Sequence, residues 1–308
     1  MAYTNLSEAL KTAMAEKNYK KAALIQNFIE NSSLMARMPF ITLGQGAGMQ
    51  WNEELTLPGT DYRAVNGTIS TEDGETEERQ AGLKILSSEL GVDDFIRDQF
   101  GDEVANKKEG QQMKAIRLRT ENDIFNGSTA SNNLQYDGLA TQIGSTAGQG
   151  DRGYVVDNGT TALSQKKLDE ALDNIEESPN QVILMNRTMR SNMSQYGQGI
   201  FDFERDEFGK KIAYYDEKPV ITVDKNHALA QILGFTEASS TTSIYVLNLD
   251  LDAVAMMQGK RGLKMTPQGR TVGSAKDTWL VEWYLSLIIQ GKFNAARIKG
   301  ITNATMTA

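Results

Sequence analysis

The residues that could do chemistry in this chain are few. His227, in "VDKNHALAQ", is the one histidine among 308 residues, and cysteine is absent. Those counts exclude multi-His zinc sites, Cys–Zn sites, disulfides and thiol nucleophiles. A Ser-His-Asp triad would have to use His227, yet no G-x-S-x-G elbow occurs, so it reads as a surface or capping histidine. Asp250 and Asp252 stand two apart at a strand end, where alternate residues share a face, but no base accompanies them. A strand-end turn is the reading. The run "TEDGETEE" (71–78) offers carboxylates to a hard cation without the alternating ligands and closing Glu of an EF-hand. It reads as a solvated face or an electrostatic contact. Gly44, Gly46 and Gly48 are spaced like a phosphate loop, but no clear strand leads in and no helix leads out. The Gly-Lys pairs at 209, 259 and 291 lack the rest of a P-loop. We assign no catalytic, cofactor-binding or metal-binding residue.

The scaffold for such residues is ample. Hydrophobic residues make up 40% of the chain, enough for one elaborate domain or two smaller ones. No apolar run approaches the roughly 20 residues of a membrane span, and the N-terminus has no signal-peptide core. The lack of cysteine fits a reducing cytoplasm. Asn66-Gly67-Thr68 and Asn158-Gly159-Thr160 read as turns. A formal charge of −8 argues against a nucleic-acid grip by the chain as a whole. Its distribution is uneven: residues 44–82 hold Arg63 and Arg79 against eight carboxylates, a net −6.

Periodicity predicts the elements. An N-terminal helix is expected over 5–30, with Asn5 as cap and Leu6, Leu10, Ala13, Leu24 and Phe28 along one side. Residues 44–82 form a charged excursion whose flanks, near Met49–Leu57 and Leu83–Leu86, pair as a long hairpin. A short helix over 93–100 precedes a longer one over 101–125 that carries Met113, Ile116 and Ile124. "NGSTASNNLQYDG" is a loop. Ser164 caps an amphipathic helix with Leu168, Ala171, Leu172 and Ile175. "QVILM" is a buried strand, "NRTMRSNMSQYG" a helix, "KKIAYYDEKPVITVD" two strand pieces around a turn, and "SIYVLNLD" a strand. "WLVEWYLSLII" gives the clearest strand, with Trp279, Val281, Trp283, Leu285, Leu287 and Ile289 on one face. Helices and strands alternate without a βαβ rhythm, so the class is α+β with antiparallel or mixed sheet.

The ordered set of motifs resembles the major capsid proteins of tailed double-stranded-DNA bacteriophages, the family with the Hong Kong 97-like fold. "ENDIFNGS…NNLQYDGLATQ" is similar to the end of the family's spine helix with its glycine turn. "LDEALDNIEESPNQVILMNRTMRSNM" resembles the helix, strand and helix start of its axial domain. "YYDEKPVITVD" looks like its "G-x-P-V" strand pair, with Glu217-Lys218 where glycine is common. "SIYVLNLDLDAVAMMQGKRGLKMT" is similar to the return to the peripheral domain, and "WLVEWYLSLIIQGKFNAARIKGI" to the closing strands. The resemblance covers essentially the whole chain.

It implies an N-terminal arm (1–43), an E-loop (44–90), a peripheral domain (91–150 and 255–291) and an axial domain (151–254 and 292–308). It also implies a non-enzymatic subunit of pentamers and hexamers in an icosahedral shell around double-stranded DNA. That DNA is enclosed without sequence-specific binding, and no cofactor or membrane is involved. Partners so implied are a portal, a separate scaffolding protein and in some shells a decoration protein. The location is the virion, assembled in the host cytoplasm. A separate scaffold is expected because the arm begins within a few residues of Met1. Some family members weld the E-loop to a neighbour through a Lys–Asn bond. No lysine lies between Gly44 and Gly82, so no such weld is expected here.

The resemblance places the E-loop over a neighbour's peripheral domain. The expected inter-subunit contacts are Trp51, Tyr62, Arg63, Glu75, Glu77 and Glu78 on the loop. Opposite them stand Lys107, Lys108, Lys114, Arg117 and Arg119 on the spine helix, whose segment 107–119 nets +4 with Glu109. An ordinary mixed helix surface is the competing reading. An encapsulin-type compartment, with the same fold, and a soluble enzyme are the alternative functions. The length of the E-loop excursion and the "YDGLATQ" segment favour the phage protein over the compartment.

Overall fold

The computed structural model describes residues 5–68, 73–197, 199–205, 211–226, 228, 230–270 and 275–307. His227 and the Gly209-Lys210 pair lie outside the described residues. Two helices, not one, open the chain: α1 (Leu6–Ala15) and α2 (Tyr19–Asn31). Asn5 Oδ1 caps the first by accepting from the Glu8 amide at 2.9 Å. Lys17, at φ 56°, breaks the run, and Asn18 caps the second helix through the Lys21 amide. That left-handed residue followed by a fresh cap is why the single helix expected over 5–30 divides. Short α3 (Ser33–Arg37) and β1 (Phe40–Thr42) follow.

Next come β2 (Gly48–Thr56), β3 (Glu75–Gly82) and β4 (Lys84–Asp93). β2 and β3 pair as an antiparallel ribbon from Gly48↔Gly82 to Thr56↔Glu75. The partner of β2 is therefore the acidic run itself. Leu83–Leu86, expected to close the hairpin, instead leads into β4 and its pairing in a separate five-stranded sheet. The three close glycines form the loop into β2, with Gly46 at φ 94°, and no helix follows them.

Helix α4 (Asp94–Asn126) is interrupted at Gly101, whose φ of 80° and ψ of 171° are not helical. The boundary expected there is real, and glycine alone adopts that conformation freely. At the other end the chain turns so tightly that the Gly138 amide donates to the Gly127 carbonyl at 2.9 Å. A Cβ at Gly127 would stand 2.5 Å from the carbonyl oxygens of both Asp123 and Tyr136, so only glycine fits.

The remaining elements are α5 (Leu139–Ile143), β5 (Gly148–Gly150), β6 (Gly153–Thr161), α6 (Gln165–Asp173), β7 (Gln181–Asn186), α7 (Arg187–Tyr196), β8 (Asp202–Arg205), β9 (Lys211–Tyr215), β10 (Lys218–Val223), β11 (Thr242–Asn248), β12 (Val254–Gln258), β13 (Lys264–Arg270), β14 (Lys276–Ile289) and β15 (Ala295–Ile301). Ser164 holds the N-cap position of α6, whose Leu168, Ala171 and Leu172 are buried. Asn186 caps α7 by accepting from the Met189 amide at 2.6 Å. The chain turns after β11, where the Ala253 amide donates to the Asp250 carbonyl at 3.2 Å.

These strands form two main sheets. One has eight strands in the order β5-β6-β15-β11-β7-β10-β9-β8. Its apolar side chains join α6 and α7 in a core around Leu168, Met185, Met189, Val246 and Ile298. The other has five strands built on β14, which pairs with β4 over ten residue pairs and with β13 and β12 in succession; β1 lies parallel to β12. Val281, Trp283, Leu285, Leu287 and Ile289 are buried in the main core, and Trp279 packs against it half-buried. Phe28 of α2 meets the Trp283 ring edge-on at 5.5 Å, and Phe40 stacks on it at 5.8 Å. α1, α2 and α4 thus cover one face of this sheet.

Candidate assembly interface

Strand alternation sends Ile288 to the opposite face of the five-stranded sheet. There, with Ala255 and Met257, it meets Ile41, Leu43, Met49, Trp51, Ala81 and Leu83. This small cluster is the root of the β2–β3 ribbon, so the excursion holds a patch of core at its base. Met49, Trp51 and Glu53 share one face of β2, and that face turns inward. Glu53 is 3% exposed and pairs diagonally with Arg79, Nε to Oε2 at 3.3 Å. Arg79 also reaches Glu77 at 2.9 Å and Asp151, in the β5–β6 turn, at 3.9 Å. The ribbon root is clamped to its own chain by charge as well as by packing.

The distal part is different. Leu57, Tyr62 and Val65 are 78%, 106% and 93% exposed, and Arg63 is exposed beside them. Glu75, Glu77 and Glu78 face solvent along β3. A two-stranded ribbon is marginal in water, and ordering each residue costs roughly 1–2 kcal/mol. This one presents Leu57, Tyr62 and Val65 largely to solvent, with Glu75 and Glu78 exposed along β3.

The expected contact residues therefore divide. Tyr62, Arg63, Glu75, Glu77, Glu78, Lys107, Lys108 and Lys114 are exposed. Trp51 is half-buried at the ribbon root and packs within its own chain. Arg117, expected on the surface, is 3% exposed. It donates to the Asn31 carbonyl at 3.1 Å and pairs with Glu121 at 3.3 Å and Asp224 at 3.6 Å. Arg119 is half-buried and pairs with Asp123 at 2.9 Å. Both arginines are engaged within the subunit. Helical spacing carried the missed signal: Met113, Arg117, Thr120 and Ile124 recur at intervals of four, three and four, which is one face. Glu53 was likewise legible as the third member of the Met49–Trp51 alternation.

Burial dominates the Glu121 carboxyl and holds its pKa above the usual carboxylate value. Hydrogen bonds from Ser32 and Arg117 and the Arg117 charge oppose that rise, and the nearby Asp224 charge adds to it. Among the described residues, no group of three or more His, Asp or Glu side chains could hold a metal ion, and no helix is long and apolar enough to cross a membrane.

No protein-family model and no curated protein matches the chain. Solved structures do. The SrpI encapsulin of Synechococcus elongatus, in its holo complex, aligns over 90% of this chain and 91% of its own, with TM-score 0.63 and 15% identity. The capsid of an empty GTA particle aligns over 88% and 90%, with TM-score 0.62 and 11% identity. A chain of Mycobacterium phage Bobi aligns over 87% and 89%, with TM-score 0.57 and 12% identity. The chain has the α+β fold of these shells, the Hong Kong 97-like fold that its sequence motifs resemble.

Proposed function

We propose that the chain is a major capsid protein, a structural subunit that self-assembles into pentamers and hexamers of an icosahedral shell enclosing double-stranded DNA. One observation carries this reading. The ribbon beyond Thr56 displays Leu57, Tyr62 and Val65 with no core of its own, on a chain that matches shell subunits along nearly their whole length. A neighbouring subunit supplies the missing surface, and closed symmetry repeats the contact many times over. Residues 44–90 act as the E-loop, 1–43 as the N-terminal arm, 91–150 with 255–291 as the peripheral domain, and 151–254 with 292–308 as the axial domain. A portal and a separate scaffolding protein complete the assembly, with a decoration protein as an optional addition. The location is the virion, and the role is non-enzymatic.

Expression of the full chain and negative-stain electron microscopy test this. Shells or capsomer sheets are expected; a compact monomer at all concentrations would defeat the proposal. The match to SrpI encapsulin supports a second reading, a protein compartment of the same fold. Particles recovered from the native host decide between them: nuclease-protected DNA marks the capsid, enclosed enzyme the compartment.

A further inference from the structure

Where α1 and α2 meet the turn between β12 and β13, a cavity of about 410 Å³ is lined by Thr12, Glu16, Asn18, Lys21, Lys260, Arg261 and Lys264, with Leu263 and Met265. Four cations and one carboxylate line it, in a chain whose formal charge is −8. Lys264 is matched by Glu282 at 3.1 Å across the sheet. Lys21 is not so matched. It is 9% exposed, and its ammonium meets Glu16 only at 3.9 Å, outside hydrogen-bond range. Lys260 and Arg261 stand exposed at the mouth, on a turn closed by the Gly262 amide to the Gly259 carbonyl at 2.8 Å.

We propose that this cavity is a contact for the phosphate backbone of double-stranded DNA, an inference that rests on the shell reading above. The acidic ribbon of a second copy is the competing polyanion; its expected seat is the exposed Lys107, Lys108 and Lys114 of α4, which leaves this cavity to the genome. The cavity opens on the side of the sheet covered by α1 and α2, whereas the ribbon root packs on the opposite face. Lys21, Lys260 and Arg261 supply point charges and a guanidinium fork that suit phosphate without reading sequence.

The test uses the unassembled full chain and a short duplex of random sequence, with binding followed by fluorescence anisotropy at low and physiological salt. K260E/R261E is expected to weaken binding about tenfold or more and to lower the salt slope by about two. K166E/K292E, an equal charge change away from the cavity, should change it far less. Equal losses in both variants, or none in K260E/R261E, would overturn the proposal. So would displacement of the duplex by inorganic phosphate at low millimolar levels, or a preference for poly-glutamate over the duplex. Electron microscopy of the same preparations reads assembly separately. K260E/R261E should still form shells; loss of shells with DNA binding intact would make the cavity a subunit contact. Failure of the wild-type chain to form shells defeats the capsid reading, and the anisotropy still decides the site.

Discussion

Glu53 and Arg79 meet across the ribbon at 3.3 Å, with the carboxylate side chain 1% exposed. Arg79→Ala leaves that carboxylate buried beside an emptied position, and its loss should cost about 3–5 kcal/mol. Replacing both, as Glu53→Leu with Arg79→Leu, should restore most of it. Urea denaturation of the two variants checks this. Equal midpoints for wild type and Arg79→Ala would mean that the pair does not anchor the ribbon.

The exposed acids of β3 are expected to face a neighbour's Lys107, Lys108 and Lys114, without the inward-facing Arg117. Reversing Glu75, Glu77 and Glu78 to Lys should reduce shell yield severalfold. Reversing the three lysines to Glu in the same chain should recover it. Unimpaired assembly of the first variant, scored by sedimentation, refutes the pairing.

The ribbon's grip should be non-covalent, because the segment from Gly44 to Gly82 has no lysine. Lys84, the first beyond it, donates to the Asn133 carbonyl at 2.7 Å within its own chain. Mature particles boiled in denaturant should run as a single monomer band. A ladder of linked subunits on the gel would contradict this.

Glu121 gives a signed pH dependence. Burial raises its folded pKa above the unfolded value, so the folded state binds the proton more tightly. The resulting stability is fully present below the unfolded pKa near 4.5 and is lost as pH rises through the folded pKa. Arg117, Asp224 and Ser32 face the carboxyl, with Arg187 and Lys225 lining the same cavity. Glu121→Gln mimics the protonated form, so its stability relative to wild type should improve between pH 4.5 and 7. A relative stability that stays flat across that range, measured by urea midpoints, would reassign the burial.

The β9–β10 turn holds Asp216 at φ 49° and Glu217 at φ 62°, a two-residue hairpin with both positions left-handed. Such turns favour glycine at the second position. Glu217→Gly should stabilise the chain by about 0.5–1 kcal/mol, the strain removed exceeding the added freedom of the unfolded state. A lowered urea midpoint would show that the Glu217 side chain contributes more than its backbone costs.

Sequence made β14 legible because one face alternates without interruption and the structure buries that face. It also marked Gly101, where glycine occupies a conformation other residues avoid. It misread the ribbon's partner strand. Both faces of β3 are polar, so no apolar pattern fixed the register, and Leu83–Leu86 drew the pairing away. Arg117 was misplaced by counting charge along the helix instead of around it. Lys21 carried no signal at all, since the cavity it lines is completed by residues 260–265 far along the chain.

Four residues sit between Ala81 and Leu86, yet they join the ribbon directly to the ten-pair ladder of β4 on β14. The mechanical consequence concerns load. A tug along the outstretched ribbon is carried into β4 lengthwise, so the ladder's hydrogen bonds resist it together in shear instead of peeling one by one. Internal pressure on a shell tied by such ribbons would be borne by the five-stranded sheet in each subunit, on the strand that also holds Trp283.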